Sequence, residues 1–428
     1  MQRRQFVQTL SAAGAMGSVS LLSACATPPA SARAPHVVVV GGGFGGATAA
    51  KYLRLFSEGK VRVTLIEPNA NFISCPMSNL VIGGQRDMGF ITHSYANLQQ
   101  HHGVQVVRDR VNRIDPARHT VQLAGGSEIG YDRLIVSPGI DFMWDALPGM
   151  ASAEAKARVL HAWKAGEQTQ ALRRQLEAMP DGGVYALAIP AVPYRCPPGP
   201  FERACLVANY FQQSKPRSKV IIFDANPEIQ SKRGLFTRVF QQNFPNHIEY
   251  RPGHTLLDVD ASTNTLKFEV QEDFRATVAN VLPPMRAADL AVNTGLATVN
   301  RRWCEVNFLS YESIAVPHVH VLGDAIQTSA GMPKSGHMAN QHGKVCAAAV
   351  MSLLLGQPVP SMPIVANTCY SFINDTDAMH VASVHRWDAQ QRTMLVVPGS
   401  GGVSPAPSAL EGVYAIGWAK NIWADMLG

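Results

Sequence analysis

At 428 residues the chain is long enough for two or three domains. It is 46% apolar and 16% charged, with a formal charge of +6. The basic excess is spread rather than clustered, which argues against a nucleic-acid partner, and no stretch reaches the about 18 consecutive apolar residues of a membrane span.

The N-terminus reads as a targeting segment. Arg3 and Arg4 precede a modest apolar stretch from Leu10 to Leu22, the n-region and h-region of an export signal. Paired arginines suit export of an already folded protein, as a cofactor enzyme requires. Leu22-Ser23-Ala24-Cys25 is similar to a bacterial lipoprotein box, with Cys25 as the residue that would take a lipid anchor. Ala30-Ser31-Ala32 offers an ordinary small-x-small cleavage site instead. The expected location is the periplasm.

Residues 35–67 predict a β-α-β unit. His36 to Val40 is a strand, Gly45 to Phe56 a helix and Val61 to Ile66 the next strand. Gly41, Gly43 and Gly46 follow just after the Val run of the first strand. Glu67 follows the second strand, about 20 residues beyond the glycines, where an acid accepts from a ribose hydroxyl. Strand, glycines, helix, strand and terminal acid together predict a dinucleotide site.

Val104 to Val107 and His119 to Leu123 predict short added strands, and Tyr131 to Gly139 a buried strand running into a turn. Residues near 150–180 are expected to be helical, with Trp163, Leu172 and Leu176 on spaced positions. Val184 to Ile189 and Lys219 to Phe223 are strands of a second α/β unit. Its first strand is followed by Pro190, Pro193, Cys196 and Pro197, with no glycine-rich turn to cradle a phosphate. A thiol loop there points to a flavin enzyme fed electrons by sulfur chemistry rather than by a nicotinamide.

Val319 to Leu322 is a strand that ends in Gly323-Asp324, and Gly336 to Leu355 a long Ala-rich helix. Gly323 permits close backbone approach to a ligand, and Asp324 can accept from a hydroxyl. Lys334 lies just before the helix, in Met332-Pro333-Lys334-Ser335-Gly336, and is a candidate cofactor contact. Residues 360–428 read as a small domain of short strands and aromatics. Its tail lacks a two-helix amphipathic pattern of the kind that inserts into a membrane.

Seven cysteines occur, at positions 25, 75, 196, 205, 304, 346 and 369. They are too sparse for a disulfide-stapled small protein. There is no CxxCH, so no haem is expected on this chain, and no CxxC to support a metal site.

The runs Phe72 to Gly84, Arg195 to Ala204, Gly323-Asp324 and Asn367 to Ser371 resemble the flavoprotein subunit of flavocytochrome c sulfide dehydrogenase, essentially over residues 35–428. That family sits beside the sulfide:quinone reductases among the two-dinucleotide-domain disulfide reductases. The resemblance implies an α/β fold with two Rossmann-like domains, the second without a nucleotide fingerprint, and a small C-terminal α+β domain. The organisation it predicts is an export signal at 1–34, a FAD-binding domain in two parts at 35–149 and 288–359, a second Rossmann-like domain at 150–287 and an interface domain at 360–428.

The resemblance also implies roles. Cys75 would carry FAD through a thioether. Cys196 and Cys369 would form a redox-active disulfide attacked by sulfide, although a structural bridge is the competing reading for an exported protein. Glu202 would take a proton near that pair, or else serve as a helix-start carboxylate. Sulfide would be oxidised to sulfur or polysulfide, with electrons passing through FAD to a c-type cytochrome in a heterodimer. The alternatives are a sulfide:quinone reductase and a non-catalytic flavoprotein partner in sulfur oxidation.

Overall fold

The computed structural model describes residues 33–428. The paired arginines, Cys25 and the Ala30–Ala32 cleavage site lie outside the described residues.

The first strands are runs of buried β-branched residues, as a sheet covered on both faces requires. β1 (His36–Val40), α1 (Phe44–Phe56), β2 (Arg62–Ile66), β3 (Gln105–Val107) and β4 (Arg133–Val136) build the first sheet. β1 is central and parallel to its neighbours: Val38 pairs with Thr64 of β2 and with Leu134 of β4. β3 is the parallel edge of this sheet beside β2, so it is an integral strand rather than an addition. Thr120–Leu123 does lie apart, in a three-stranded antiparallel sheet.

The second unit holds β5 (Val184–Ile189), α2 (Gly199–Ser214), β6 (Lys219–Asp224), β7 (Ile248–Pro252) and β8 (Val278–Val281). Its four strands are all parallel, in the order β7-β6-β5-β8. Between the two units the chain forms two separate helices, Ala153–Arg158 and Glu167–Ala178. Trp163 falls in the loop between them, not on a helix face. It is buried all the same, with the Arg203 guanidinium 5.0 Å from the ring centre.

The chain then returns to the first sheet. β9 (Val319–Val321) pairs with β4 in parallel, and Glu312–Ser313 and Val306–Asn307 add an antiparallel edge. α3 (Gly336–Leu354) packs along α1. Ser335 caps it, its hydroxyl accepting from the Met338 N–H.

The C-terminal region differs from its expectation of short strands. β10 (Ile364–Phe372) and β11 (Ala378–Asp388) are long and pair antiparallel from Ile364 opposite Arg386 to Phe372 opposite Ala378, with Cys369 opposite Val381. α4 (Ala409–Leu427) follows. β10 hides its pattern because two of its buried positions are polar: Asn367 accepts from the Ser335 hydroxyl, and Ser371 accepts from Lys232. Among the described residues no helix is long and apolar enough to cross a membrane.

Candidate functional site

A cavity of about 700 Å³ opens where β1, β2, β4 and β9 end, the carboxyl edge at which open α/β sheets bind ligands. Gly43 and Gly45, at the start of α1, line it. Gly46 acts one layer below. A β-carbon there would lie 1.9 Å from the Gly41 carbonyl oxygen, so only glycine lets α1 start this close to the turn. Glu67 lines the cavity, and its carboxylate accepts from the Gly42 N–H at 2.8 Å and from Asn69.

Asp324 lines the opposite wall. Its Oδ1 is buried with no partner, and its Oδ2 is 4.0 Å from Arg195 Nε. Burial raises its carboxyl above the usual range, against the pull of Arg195 and Lys334. A buried carboxylate oxygen left unpaired fits a ligand hydroxyl. With the positive end of α1 across the cavity, these groups could hold a dinucleotide. Lys334 is not among the residues lining the cavity. Its ammonium donates to the carbonyls of Asp324 and Ile326 and sits 3.7 Å from the Trp303 ring centre. Burial pushes it down to about 7.

Three cysteines distant in sequence line this one cavity: Cys75, Cys196 and Cys369. Cys75 follows the short strand Asn71–Ile73, and its sulfur accepts from the Ala165 N–H at 3.4 Å and from Arg195 at 3.5 Å. Cys196 sits on the loop between β5 and α2 with φ of 57°, and its N–H donates to the Lys334 carbonyl at 2.9 Å. Gly199 makes room for it, because a β-carbon there would come 2.9 Å from the Cys196 sulfur. Cys369 lies in β10, its sulfur 3.4 Å from the Asn367 amide nitrogen.

All three are free thiols in the structure. Burial pushes the Cys196 and Cys369 thiols up; the Asn367 hydrogen bond and Lys232 offset this for Cys369. Cys205, Cys304 and Cys346 are fully buried in the core and do not line the cavity.

Glu202, in the first turn of α2, also lines the cavity. Its carboxylate accepts from Asn79 Nδ2 at 2.8 Å and from the Phe372 N–H at 2.9 Å. Both donors belong to other segments, so Glu202 ties the short helix Ser78–Gly83 and β10 to α2. Burial raises its carboxyl despite those bonds, the direction a proton-transfer group needs.

Three charged residues of the site were not singled out in the sequence. Arg195 bridges Cys75, the Trp163 carbonyl and Asp324. Arg203 is fully buried and donates to Asn79, Asn280 and the carbonyls of His161 and Ala162. Lys232, in the loop after β6, donates to the Cys369 carbonyl. Arg195 stands beside Cys196, and that adjacency was the one available signal. Arg203 and Lys232 acquire their places only through long-range closure of the chain.

Two dinucleotide-type sheets, a cofactor-sized cavity and thiols brought into it define a flavoprotein of the disulfide-reductase class. Models of known families agree along the chain. Pyridine nucleotide-disulphide oxidoreductase matches residues 35–185. The central part of the sulfide dehydrogenase (flavocytochrome c) flavoprotein chain matches 169–283, and the flavin-binding part of flavocytochrome c sulphide dehydrogenase matches 361–427. The chain belongs to the superfamily formed by flavocytochrome c sulfide dehydrogenases, sulfide:quinone oxidoreductases and pyridine nucleotide-disulphide oxidoreductases.

Among its relatives is the mitochondrial sulfide:quinone oxidoreductase of Mus musculus, 26% identical over 68% of this chain and 65% of that protein. The chain thus spans about 65% of the length of this curated relative. The flavoprotein chain of sulfide dehydrogenase from Chlorobaculum thiosulfatiphilum is 60% identical over 46 residues, 11% of this chain and 94% of that sequence. The crystal structure of the sulfide:quinone oxidoreductase from Aquifex aeolicus shares the fold, with a TM-score of 0.76, 18% identity and 92% of each chain covered.

These findings correct the expected route of electrons through a Cys196–Cys369 disulfide to a c-type cytochrome. No disulfide joins the two cysteines. A similarity that extends over 68% of the chain is to a sulfide:quinone oxidoreductase, and the fold of another, from Aquifex aeolicus, covers 92% of it.

Proposed function

We propose that the protein is a FAD-dependent enzyme that oxidises sulfide and passes the electrons to a quinone. The observation that carries this reading is the arrival of Cys196, Cys369 and Glu202 in the cavity that Glu67 and Asp324 equip for a dinucleotide.

FAD, when bound, supplies a two-electron acceptor beside the thiols. The chain's own residues do the rest. A cysteine thiol and hydrosulfide together become a persulfide anion, releasing two protons and two electrons. With FAD as the oxidant, Glu202 is placed to take one proton while the other leaves with water. Gly41, Gly43, Gly46, Glu67, Gly323 and Asp324 orient the cofactor, and Cys75, steadied by Arg195, is its covalent attachment point. Arg3 and Arg4 support export to the periplasm, with Cys25 as the residue a lipid anchor would use.

A second cavity of about 600 Å³ supports the quinone as acceptor. It shares His337, Tyr370 and Trp418 with the main cavity, so an aromatic wall separates the two. Val413 and Tyr414 line its mouth, and Leu410, Val413 and Tyr414 of α4 are 58%, 68% and 53% exposed. The lining is mixed: Asn340, Gln341, Lys344, Asn421 and Asp425 stand beside Val413, Tyr414, Trp418 and Ile422, whose apolar faces would meet a lipophilic ring.

Anaerobic titration with sulfide tests the reading. About one equivalent of sulfide per FAD should bleach the flavin, because each sulfide yields two electrons. A flavin indifferent to sulfide but bleached by NADH would move the protein to the nicotinamide-dependent reductases.

A further inference from the structure

Lys232 is only 6% exposed. It stands just before the helix Arg233–Gln242, with φ of 56°. Its ammonium donates to the Cys369 carbonyl at 3.0 Å, the Ser371 hydroxyl at 2.8 Å and the Met379 carbonyl at 3.2 Å. All three donors of the ammonium are thereby used, and all three acceptors are neutral. Among the described residues no carboxylate forms an ion pair with it.

A buried cation whose hydrogen-bond partners are all neutral carries a desolvation cost that the more distant Glu202 and Glu411 only partly offset. A neutral side chain could join the same two strands without that cost. The charge itself therefore needs a reason. The groups that feel it are Cys369, then Glu202, Cys196 and Glu411. Cys369 is faced in turn by Asn367, Lys232, Ser335 and Glu202, and Glu202 by Asn79, Phe372, Lys232 and Arg203.

We propose that Lys232 is a positioning residue that makes Cys369, rather than Cys196, the thiolate of the pair. The thiol proton of Cys369 leaves to water in the cavity, and the negative charge on sulfur meets the ammonium held behind its own backbone. Lys232 keeps its proton at neutral pH: burial lowers it to about 8 against the pull of Cys369, Glu202, Cys196 and Glu411. Cys196 feels the Arg195 and Lys232 cations, yet burial and its neighbours Cys369 and Glu202 push it up. The use of this thiolate in sulfide oxidation rests on the function proposed above; the thiolate assignment does not.

The test is alkylation of the dithiothreitol-reduced holoenzyme by iodoacetamide across pH, without sulfide, read at each cysteine by peptide mass spectrometry. In the unsubstituted protein Cys369 should react with a lower pH midpoint than Cys196. In Lys232→Gln and Lys232→Met the Cys369 midpoint should rise by about one unit, slowing its alkylation at neutral pH about tenfold. Lys232→Arg should restore most of the rate. A merely structural clamp would leave the midpoint in Lys232→Gln where it was, and that result overturns the proposal. If neither neutral variant folds, the order in the unsubstituted protein decides, and Cys196 reacting first refutes it. A flavin that sulfide does not bleach, in enzyme whose Cys369 titrates first, would refute the sulfide reading and support the thiolate assignment.

Discussion

Changing Cys369 or Cys196 to serine should reduce sulfide-driven flavin reduction by roughly a thousandfold or more, as loss of a reacting group does. A serine hydroxyl is far too weak an acid to become the attacking anion at neutral pH, and its oxygen cannot hold a sulfur as a persulfide. Neither substitution should disturb the cofactor's place. The Cys196 N–H still donates to the Lys334 carbonyl, and Cys369 keeps its pairing with Val381 in β10 and β11. The variants should therefore keep the flavin spectrum and bleach with dithionite. Rapid, complete bleaching by sulfide in both would remove the thiols from the mechanism. Glu202 should matter less, because hydrosulfide is already an anion near neutral pH.

Gly46→Ala should purify with little or no flavin. The added methyl would sit 1.9 Å from the Gly41 oxygen, far inside contact distance, with backbone rather than a movable side chain in its way. Either α1 moves out or the turn opens, and both displace the N–H groups that face the cavity. Overpacking of this kind costs about 1–3 kcal/mol, so the fold should survive with a lowered unfolding midpoint. Cys75→Ser is the informative contrast. It should keep its flavin in the folded state and release it into the supernatant on acid precipitation, whereas the unsubstituted protein keeps its colour in the pellet. Flavin retention by Gly46→Ala equal to that of the unsubstituted protein would contradict the cofactor site drawn here.

The parts of the site that lie close together in sequence were legible there. The run from His36 to Glu67 announces strand, turn, helix and strand by local pattern alone. Gly323-Asp324 likewise ends its strand where expected. The thiol cluster was of another kind. Cys75, Cys196 and Cys369 come from a loop, a strand-to-helix turn and the middle of β10, and only resemblance to a known family placed them together.

Lys334 is an expected contact that does not line the cavity. It sits at the right sequence position before α3, but its ammonium turns to the Asp324 and Ile326 carbonyls and the Trp303 ring. Lys232 shows the reverse case. Nothing in Ser231-Lys232-Arg233 marks a functional residue, because its partners Cys369, Ser371 and Met379 arrive from the far end of the chain. The disulfide was carried over from the family and has no counterpart among the free thiols seen here.

The central claim is that electrons taken from sulfide leave to a quinone. It is tested most directly by reducing the enzyme with sulfide under anaerobic conditions and mixing it, in separate stopped-flow runs, with a short-chain ubiquinone and with a c-type cytochrome. Flavin reoxidation should be fast with the quinone and slow with the cytochrome. Fast haem reduction, with the flavin left reduced in the presence of quinone, would contradict the account.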